Sequence, residues 1–223
     1  PVDIYLAHSL QDQAWFGGTV HYFPNAAQPA YAQDNDIQAL RDESGYLFDV
    51  SFFGSIAKGK ACNVQRRKAF LDALQADLCQ RLPSIRIGII DASLQKLSVE
   101  DQLALIRRSK INLNVGAMCD LKNKDSWGLP ERVFGVPAAG GLVLSDGRKH
   151  VADTFPENCL PVFDTPQACA ALVDQLLSDW NALRDLAEWQ HAEITKNHTY
   201  RLRARQLIGL LDDYGRRNGL KQL

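Results

Sequence analysis

The sequence predicts an α/β fold, a doubly wound parallel sheet with a helical carboxyl-terminal end, and three observations carry that prediction. Five short runs, at residues 46–53, 85–91, 111–115, 142–144 and 160–163, have the length and composition of strands. The stretches between them carry helical spacing, caps or turn residues. A crossover between parallel strands lays its intervening segment on a face of the sheet, so an alternation of this kind covers both faces.

Composition bounds the function. With 223 residues, 46% of them apolar, the chain buries a substantial core. A formal net charge of -1 gives no footprint for nucleic acid, and no apolar run is long enough for a transmembrane segment. The five cysteines are odd in number and form no C-x-x-C pair, which argues against a disulfide framework or zinc site and for a reducing cytoplasm. The histidines at 8, 21, 150, 191 and 198 lack metal-ligand spacing. Pro1 in place of a methionine, with no charged-then-apolar leader, leads us to expect a fragment without a signal peptide.

Taken in order, Val2 to Ala7 is a short β-forming run, and the polar stretch after it has room for a helix. Val20 to Pro24 reads as a second short strand, and Asn25 to Arg41, without a clear period, as a linker or wandering surface segment. The run Y-L-F-D-V-S-F-F from Tyr46 suits a strand covered on both faces. A loop with Lys58, Gly59 and Lys60 leads to a helix from about Gln65 to Leu82, where Phe70, Leu74, Leu78 and Leu82 recur every four residues. Ile85, Ile87 and Ile89 alternate with Arg86 and Gly88 as a strand ending at Asp91. Ser98 and Asp101 form a capping arrangement for the next helix, and Ile111 to Val115 is a strand with Asn112 and Asn114 on one face. Beyond the Leu142 to Leu144 strand, Lys149 to Phe155 reads as a short helix and Leu160 to Phe163 as the last strand. Thr165-Pro166 then starts a helix with a stripe of Cys169, Leu172, Val173 and Leu176. A further helix from about Trp180 holds Leu183, Leu186 and Trp189, and the final one, capped by Thr199, holds Leu202, Leu207 and Leu210.

Function concentrates in Trp127 to Asp146, W-G-L-P-E-R-V-F-G-V-P-A-A-G-G-L-V-L-S-D. A loop feeds a short helix near Pro130, a Gly-Gly break follows, and a strand closes the unit. The amides of a helix start carry partial positive charge suited to a diphosphate, and Arg132 in the first turn adds a bidentate cation. Asn114 stands at the carboxyl end of its strand, where open parallel sheets bind ligands; a pair of amides satisfied by backbone explains Asn112 and Asn114 equally well. No G-x-G-x-x-G occurs, which argues against a dinucleotide dehydrogenase and for a mononucleotide or nucleotide-sugar site.

Three segments in order, F-F-G-S at Phe52 to Ser55, R-V-F-G-V-P-A-A-G-G-L-V-L-S-D at Arg132 to Asp146 and H-T-Y-R-L-R-A-R-Q-L at His198 to Leu207, resemble the carboxyl-terminal half of spore-maturation-protein-like (group 1) glycosyltransferases of GT-B architecture. The resemblance implies a Rossmann-like, nucleotide-sugar-binding domain over residues 46–198. It also implies a crossing helix and basic tail over 199–223, and over 1–45 a remnant of an amino-terminal acceptor domain with hinge and linker. It implies a nucleoside-diphosphate-sugar donor and a glycan, lipid or protein acceptor, in the cytoplasm and at most peripheral to the inner membrane face. Gly54, Ser55, Lys58, Asn114, Arg132 and Val133 are then expected around the donor diphosphate, with Trp127, Glu131 and Asp146 as ribose or base contacts. No catalytic base is assigned. The absence of an Asp-x-Asp motif leads us to expect neither metal nor cofactor.

One departure stands out. Where the resembled family carries a ribose-binding Glu, this chain has Gly135, and Trp127 stands where a second Glu is usual in related retaining enzymes. Either Glu131 or Asp146 replaces the missing carboxylate, or donor binding is weakened; a non-catalytic interaction module that keeps the fold is the alternative to an enzyme.

Overall fold

An apolar run without alternation needs cover on both faces, and Asp49 to Phe52 obtain it in an inner strand of a five-stranded parallel sheet, while Leu47 before it is 50% exposed. The computed structural model describes residues 4–11, 13–32, 36–56, 62–116 and 127–219. In chain order these form β1 (Tyr5–Ala7), β2 (Val20–Tyr22), β3 (Phe48–Gly54), α1 (Cys62–Arg81), β4 (Ile87–Asp91), α2 (Val99–Arg107), β5 (Ser109–Asn114) and α3 (Arg132–Ala138). There follow β6 (Leu142–Asp146), α4 (Val151–Thr154), β7 (Val162–Phe163), α5 (Pro166–Leu177), α6 (Trp180–Asn197) and α7 (Tyr200–Arg217). All five expected strands of the main sheet form, and the chain ends in helices as the sequence predicts.

The sheet runs β4-β3-β5-β6-β7, and every neighbouring pair is parallel. After β3, α1 carries the chain to β4 on one side, and α2 then returns it to β5 on the other. The winding therefore reverses between β3 and β5, and their carboxyl ends open a crevice of the kind in which open α/β sheets bind ligands. Side chains alternate across each strand. Val50, Phe52, Ile111 and Leu113 join Leu71, Leu74 and Leu78 of α1 and Cys169 and Val173 of α5 in one core. The second core gathers Ile106, Val133, Phe134, Val136, Val143 and Ile194.

The expected caps form: Ser98 accepts the Asp101 amide at 3.1 Å, Thr165 the Ala168 amide at 3.1 Å and Thr199 the Leu202 amide at 3.4 Å. Such a cap contributes about 1 kcal/mol to its helix. Three expectations are corrected. The buried stripe of α1 is Val64, Arg67, Leu71, Leu74 and Leu78 rather than one running from Phe70 to Leu82, because a spacing of four drifts around a helix of 3.6 residues per turn. Trp189 of α6 is 41% exposed, and Ala187, Gln190 and Ile194 carry the burial instead. Residues 25–32 and 36–41 do not wander: the Ala27 amide donates to the His198 carbonyl at 2.8 Å, and short 3-10 turns form at Pro29–Tyr31 and Gln38–Arg41. Small side chains make that docking possible, Ala26 and Ala27 being buried.

β1 and β2 form a separate parallel pair. His150 fastens it to the domain: its Nε2 accepts the Leu10 amide at 3.1 Å and its ring stacks on Tyr22 with centroids 4.2 Å apart. On α7 the expected stripe of Leu202, Leu207 and Leu210 is only half-buried, and the root of the helix is held by buried Arg203, whose Nε donates to the Pro24 carbonyl at 3.1 Å. Among the described residues no helix is long and apolar enough to cross a membrane.

Candidate functional site

Two guanidinium groups converge on the crevice between β3 and β5. Arg67 comes from the buried stripe of α1, where its Nε donates to the Val115 carbonyl at 2.7 Å, its Nη1 to the Ser55 carbonyl at 3.0 Å and its Nη2 to the Gly116 carbonyl. Gly116 has a positive φ of 53°, so the chain leaves β5 in a turn that aims its carbonyl back at the arginine. Arg132, the first residue of α3, donates from Nη2 to the Phe53 carbonyl. Both guanidinium carbons lie against the Phe52 ring, 5.6 Å from its centroid for Arg67 and 5.2 Å for Arg132.

Gly54 makes that approach possible. A Cβ there would stand 2.7 Å from the edge of the Phe52 ring and 3.6 Å from the Arg132 guanidinium. Burial first, and then repulsion by Arg67, push the Arg132 guanidinium down to about 10. It remains a cation at neutral pH, and among the described residues no carboxylate pairs with it. An anion arriving between the two arginines would relieve their repulsion.

The other candidate residues divide. The Ser55 carbonyl is held by Arg67, and Lys58 lies outside the described residues. Val133 buries its side chain in the second core and gives its amide to the Pro130 carbonyl at 3.1 Å. The amides of Phe134 and Gly135 likewise bond to the Glu131 carbonyl, at 3.0 and 2.9 Å. Positive charge at the crevice therefore comes from side chains more than from the start of the seven-residue α3.

Asn114 is buried and donates to Ser145 Oγ at 2.9 Å and Asp146 Oδ1 at 3.0 Å. Asp146 also accepts from the Gly116 amide and from Nε and Nη2 of Arg148, each at 2.9 Å. Arg148 completes the knot by donating to the Gly128 carbonyl at 2.8 Å. The knot holds the tips of β5 and β6 to the loop before α3, and its polar atoms serve that fixation. Trp127 sits to one side, its ring under the Lys149 ammonium at 3.7 Å and edge-on to His150 at 5.7 Å.

A cavity of about 210 Å³ opens beside Arg132, between α2, α3 and the sheet. Glu131, Arg132 and Gly135 form one wall, Gln102 another, and Gln28 and Tyr31 close it from the amino-terminal segment. Sequence reading singled out Glu131 and Arg132 here but neither Arg67 nor the two residues from 25–41. Gln28 Nε2 donates to Glu131 Oε1 at 2.7 Å, and the Tyr31 hydroxyl donates to Gln102 Oε1 at 3.1 Å. Burial first, then the Glu131 carboxylate, raise the Tyr31 phenol above its ordinary value, so it keeps its proton at neutral pH. A Cβ on Gly135 would lie 3.7 Å from the Tyr31 ring. Among the described residues no three His, Cys, Asp or Glu side chains are grouped so as to hold a metal ion.

The comparisons with known proteins agree with this fold. A family model described as glycosyl transferase-like matches residues 66–209. No curated protein matches the chain. Among solved structures it is similar to sucrose-phosphate synthase from Thermosynechococcus elongatus, with a TM-score of 0.61 and 13% identity over 96% of this chain and 59% of that one. A glycosyltransferase from Rickettsia africae superposes with a TM-score of 0.57 and 12% identity, over 95% of this chain and 63% of that one. Anabaena HepE, in complex with UDP and glucose, does so with a TM-score of 0.58 and 12% identity, over 94% and 63%. At such identities the likeness is one of fold, and the chain spans about three fifths of the length of each of these structures.

Proposed function

The chain belongs to the glycosyl transferase-like family, with the fold of a GT-B carboxyl-terminal domain, and on that premise we propose that it is the donor-binding half of a glycosyltransferase. It takes a sugar from a nucleoside diphosphate sugar and passes it to a hydroxyl of a glycan, lipid or protein acceptor, working with an amino-terminal acceptor domain. The observation that carries this reading is the pair of guanidinium groups, Arg67 and Arg132, flanking the Phe52 ring at the point where the winding of the sheet reverses. Glycosyl transfer builds negative charge on the departing diphosphate, and fixed cations already in place lower the barrier without reorganisation. Arginine suits this because its planar fork meets two phosphate oxygens at once. With two such cations at the crevice the reaction proceeds without a divalent metal or other cofactor.

The cavity beside Arg132 takes the nucleoside. Glu131 lines it, with Oε1 accepting from Gln28 Nε2 at 2.7 Å, whereas Asp146 does not line it and is engaged by Arg148, Asn114 and the Gly116 amide. Glu131 is therefore the ribose contact in this reading. Free thiols at Cys159 and Cys169, both buried, suit the cytoplasm.

Calorimetric titration with UDP, GDP and ADP in the presence of a chelator tests the proposal. At least one binds, and Arg132→Ala weakens it by about tenfold or more, as loss of a charge-assisted hydrogen bond requires. Binding of none of the three up to millimolar concentration would leave the fold as that of an interaction module.

A further inference from the structure

A sheet of two strands, such as β1 with β2, is too small to hold its place without support from its surroundings. β2 and the residues after it find that support in uncharged or permanently charged partners. The Tyr22 hydroxyl bonds Thr154 Oγ1 at 2.9 Å, Arg203 donates to the Pro24 carbonyl at 3.1 Å, and Asn25 Nδ2 donates to the Leu129 carbonyl at 2.9 Å. The carboxyl end of β1 is held through a titratable ring instead. His150 is buried, and its Nε2 accepts the Leu10 amide at 3.1 Å.

A backbone N–H can only donate, so Nε2 carries no proton. The single proton of the neutral ring therefore stands on Nδ1, from which it is donated to Asp153 Oδ2 at 2.7 Å. The two partners make opposite demands: the Leu10 amide requires the neutral ring, and the Asp153 carboxylate favours the imidazolium. The Asp153 side chain is 58% exposed, so a counter-charge in touch with solvent stands beside a ring that is itself buried. A second proton would have to sit on Nε2, facing the Leu10 N–H, and that hydrogen bond would be lost. Among the described residues, the other charged and titratable groups on the elements around the ring are Tyr22, Lys149, Arg148 and His8. Tyr22 stacks on the ring and has its phenol pushed up by burial, so it keeps its proton. The Lys149 ammonium lies over the Trp127 ring, Arg148 is paired with Asp146, and His8 lies on Gly128.

The same histidine reaches towards the arginines. Its amide donates to the Trp127 carbonyl at 3.1 Å, and its ring meets the Trp127 ring edge-on. His8, just past the end of β1, packs so closely on Gly128 that a Cβ there would stand 2.7 Å from its ring. The end of β1 thus bears on the loop that leads into α3 and Arg132.

We propose that His150 is a proton-operated joint: neutral, it seats the end of β1 against the loop before α3, and on taking a second proton it releases Leu10 and loosens that loop, so that acidification weakens the grip on a nucleoside diphosphate. Weaker nucleotide binding follows only on the donor reading above, whereas the release of Leu10 does not depend on it.

Nuclear magnetic resonance on the full chain, with labelled histidine rings and backbone amides, reads both sides of the joint between about pH 5 and 8, where histidines ordinarily change charge. At the upper end His150 is neutral with its proton on Nδ1, and the Leu10 amide is protected from exchange. As His150 takes its second proton, the Leu10 protection factor falls by about tenfold or more, the worth of one hydrogen bond. Protection that stays constant while His150 protonates, or a ring that remains neutral throughout, would overturn the joint. Asp153→Asn, a change at an exposed side chain, moves the loss of protection to lower pH; an unmoved midpoint would contradict the proposal. His150→Gln keeps an acceptor for the Leu10 amide that cannot be protonated, and its Leu10 protection does not vary with pH. Calorimetry with UDP, GDP and ADP at both ends of the range tests the consequence. The nucleotide phosphates titrate too, so the reading is a difference: on acidification affinity falls severalfold more in the wild type than in His150→Gln. An equal fall in both overturns the link to nucleotide binding and leaves the joint in place. Binding of none of the three to the wild type removes the donor reading and that link together, while the joint is decided by Leu10.

Discussion

Arg67 shows how a single side chain can decide a site and still escape a reading of the sequence. It lies among three consecutive basic residues, Arg66, Arg67 and Lys68, at the start of a helix, where charge ordinarily faces solvent. The signal was its phase: at true helical spacing it falls in line with Val64, Leu71, Leu74 and Leu78, and an arginine on a buried stripe must have polar partners at its head. Its partners are three backbone carbonyls, so Arg67→Leu strands acceptors at the tips of both strands. Each costs about 1–3 kcal/mol, and thermal unfolding should show a loss of several kcal/mol, with Arg67→Lys recovering only part of it. Arg132 was legible, because a cation in the first turn of a helix after a Pro-containing loop has few reasons to be there. Gly54 is constrained by the ring beside it: Gly54→Ala should destabilise by about 1–3 kcal/mol and weaken nucleoside diphosphate binding severalfold, since Phe52 must move and both arginines lean on it.

Among elements, the strands were read from composition and the joints between them were not. Alternation and apolar runs located β3 to β7 within a few residues, and capping chemistry located the starts of α2, α5 and α7. The joints depend on long-range partners that leave no local pattern. Asp146, Arg148 and Asn114 tie β5 to β6 and to the loop before α3, and in the sequence they look like polar residues available to a ligand. Asp146→Asn should cost about 3 kcal/mol in chemical denaturation by removing a counter-charge that the buried Arg148 meets at 2.9 Å. At the opposite end of the sheet, burial pushes the Asp49 carboxyl up, but Arg86 and Lys110 more than offset it and hold it at about 2. Its folded-state value lies below its unfolded one, near ~4, so its contribution is fully present above pH ~4 and is lost as pH falls towards 2. The difference in melting temperature between wild type and Asp49→Asn should therefore be largest above pH ~4 and narrow on acidification; a constant difference down to pH ~2 would exclude this ion pair as its source.

Over the whole molecule, the class of fold was legible because βαβ chirality and layer packing leave few arrangements for alternating strands and helices. The strand order, and with it the crevice between β3 and β5, emerges only when the sheet is assembled. The segment 25–41 was the largest omission: its small and polar residues carry no period, yet residues 25–32 dock against α3 and the start of α7 and close the cavity with Gln28 and Tyr31. Two stretches distant in sequence thus share one pocket, and the proposed donor site is a property of the assembled chain rather than of the domain alone. The claim on which the account depends is that a diphosphate lies between Arg67 and Arg132. A crystal structure with the nucleoside diphosphate that calorimetry selects measures this directly. The account predicts phosphate oxygens at ~2.7–2.9 Å from the Arg132 guanidinium, over the carboxyl ends of β3 and β5, with the nucleoside in the cavity. A diphosphate bound elsewhere, with Arg132 still closed on the Phe53 carbonyl, would contradict it.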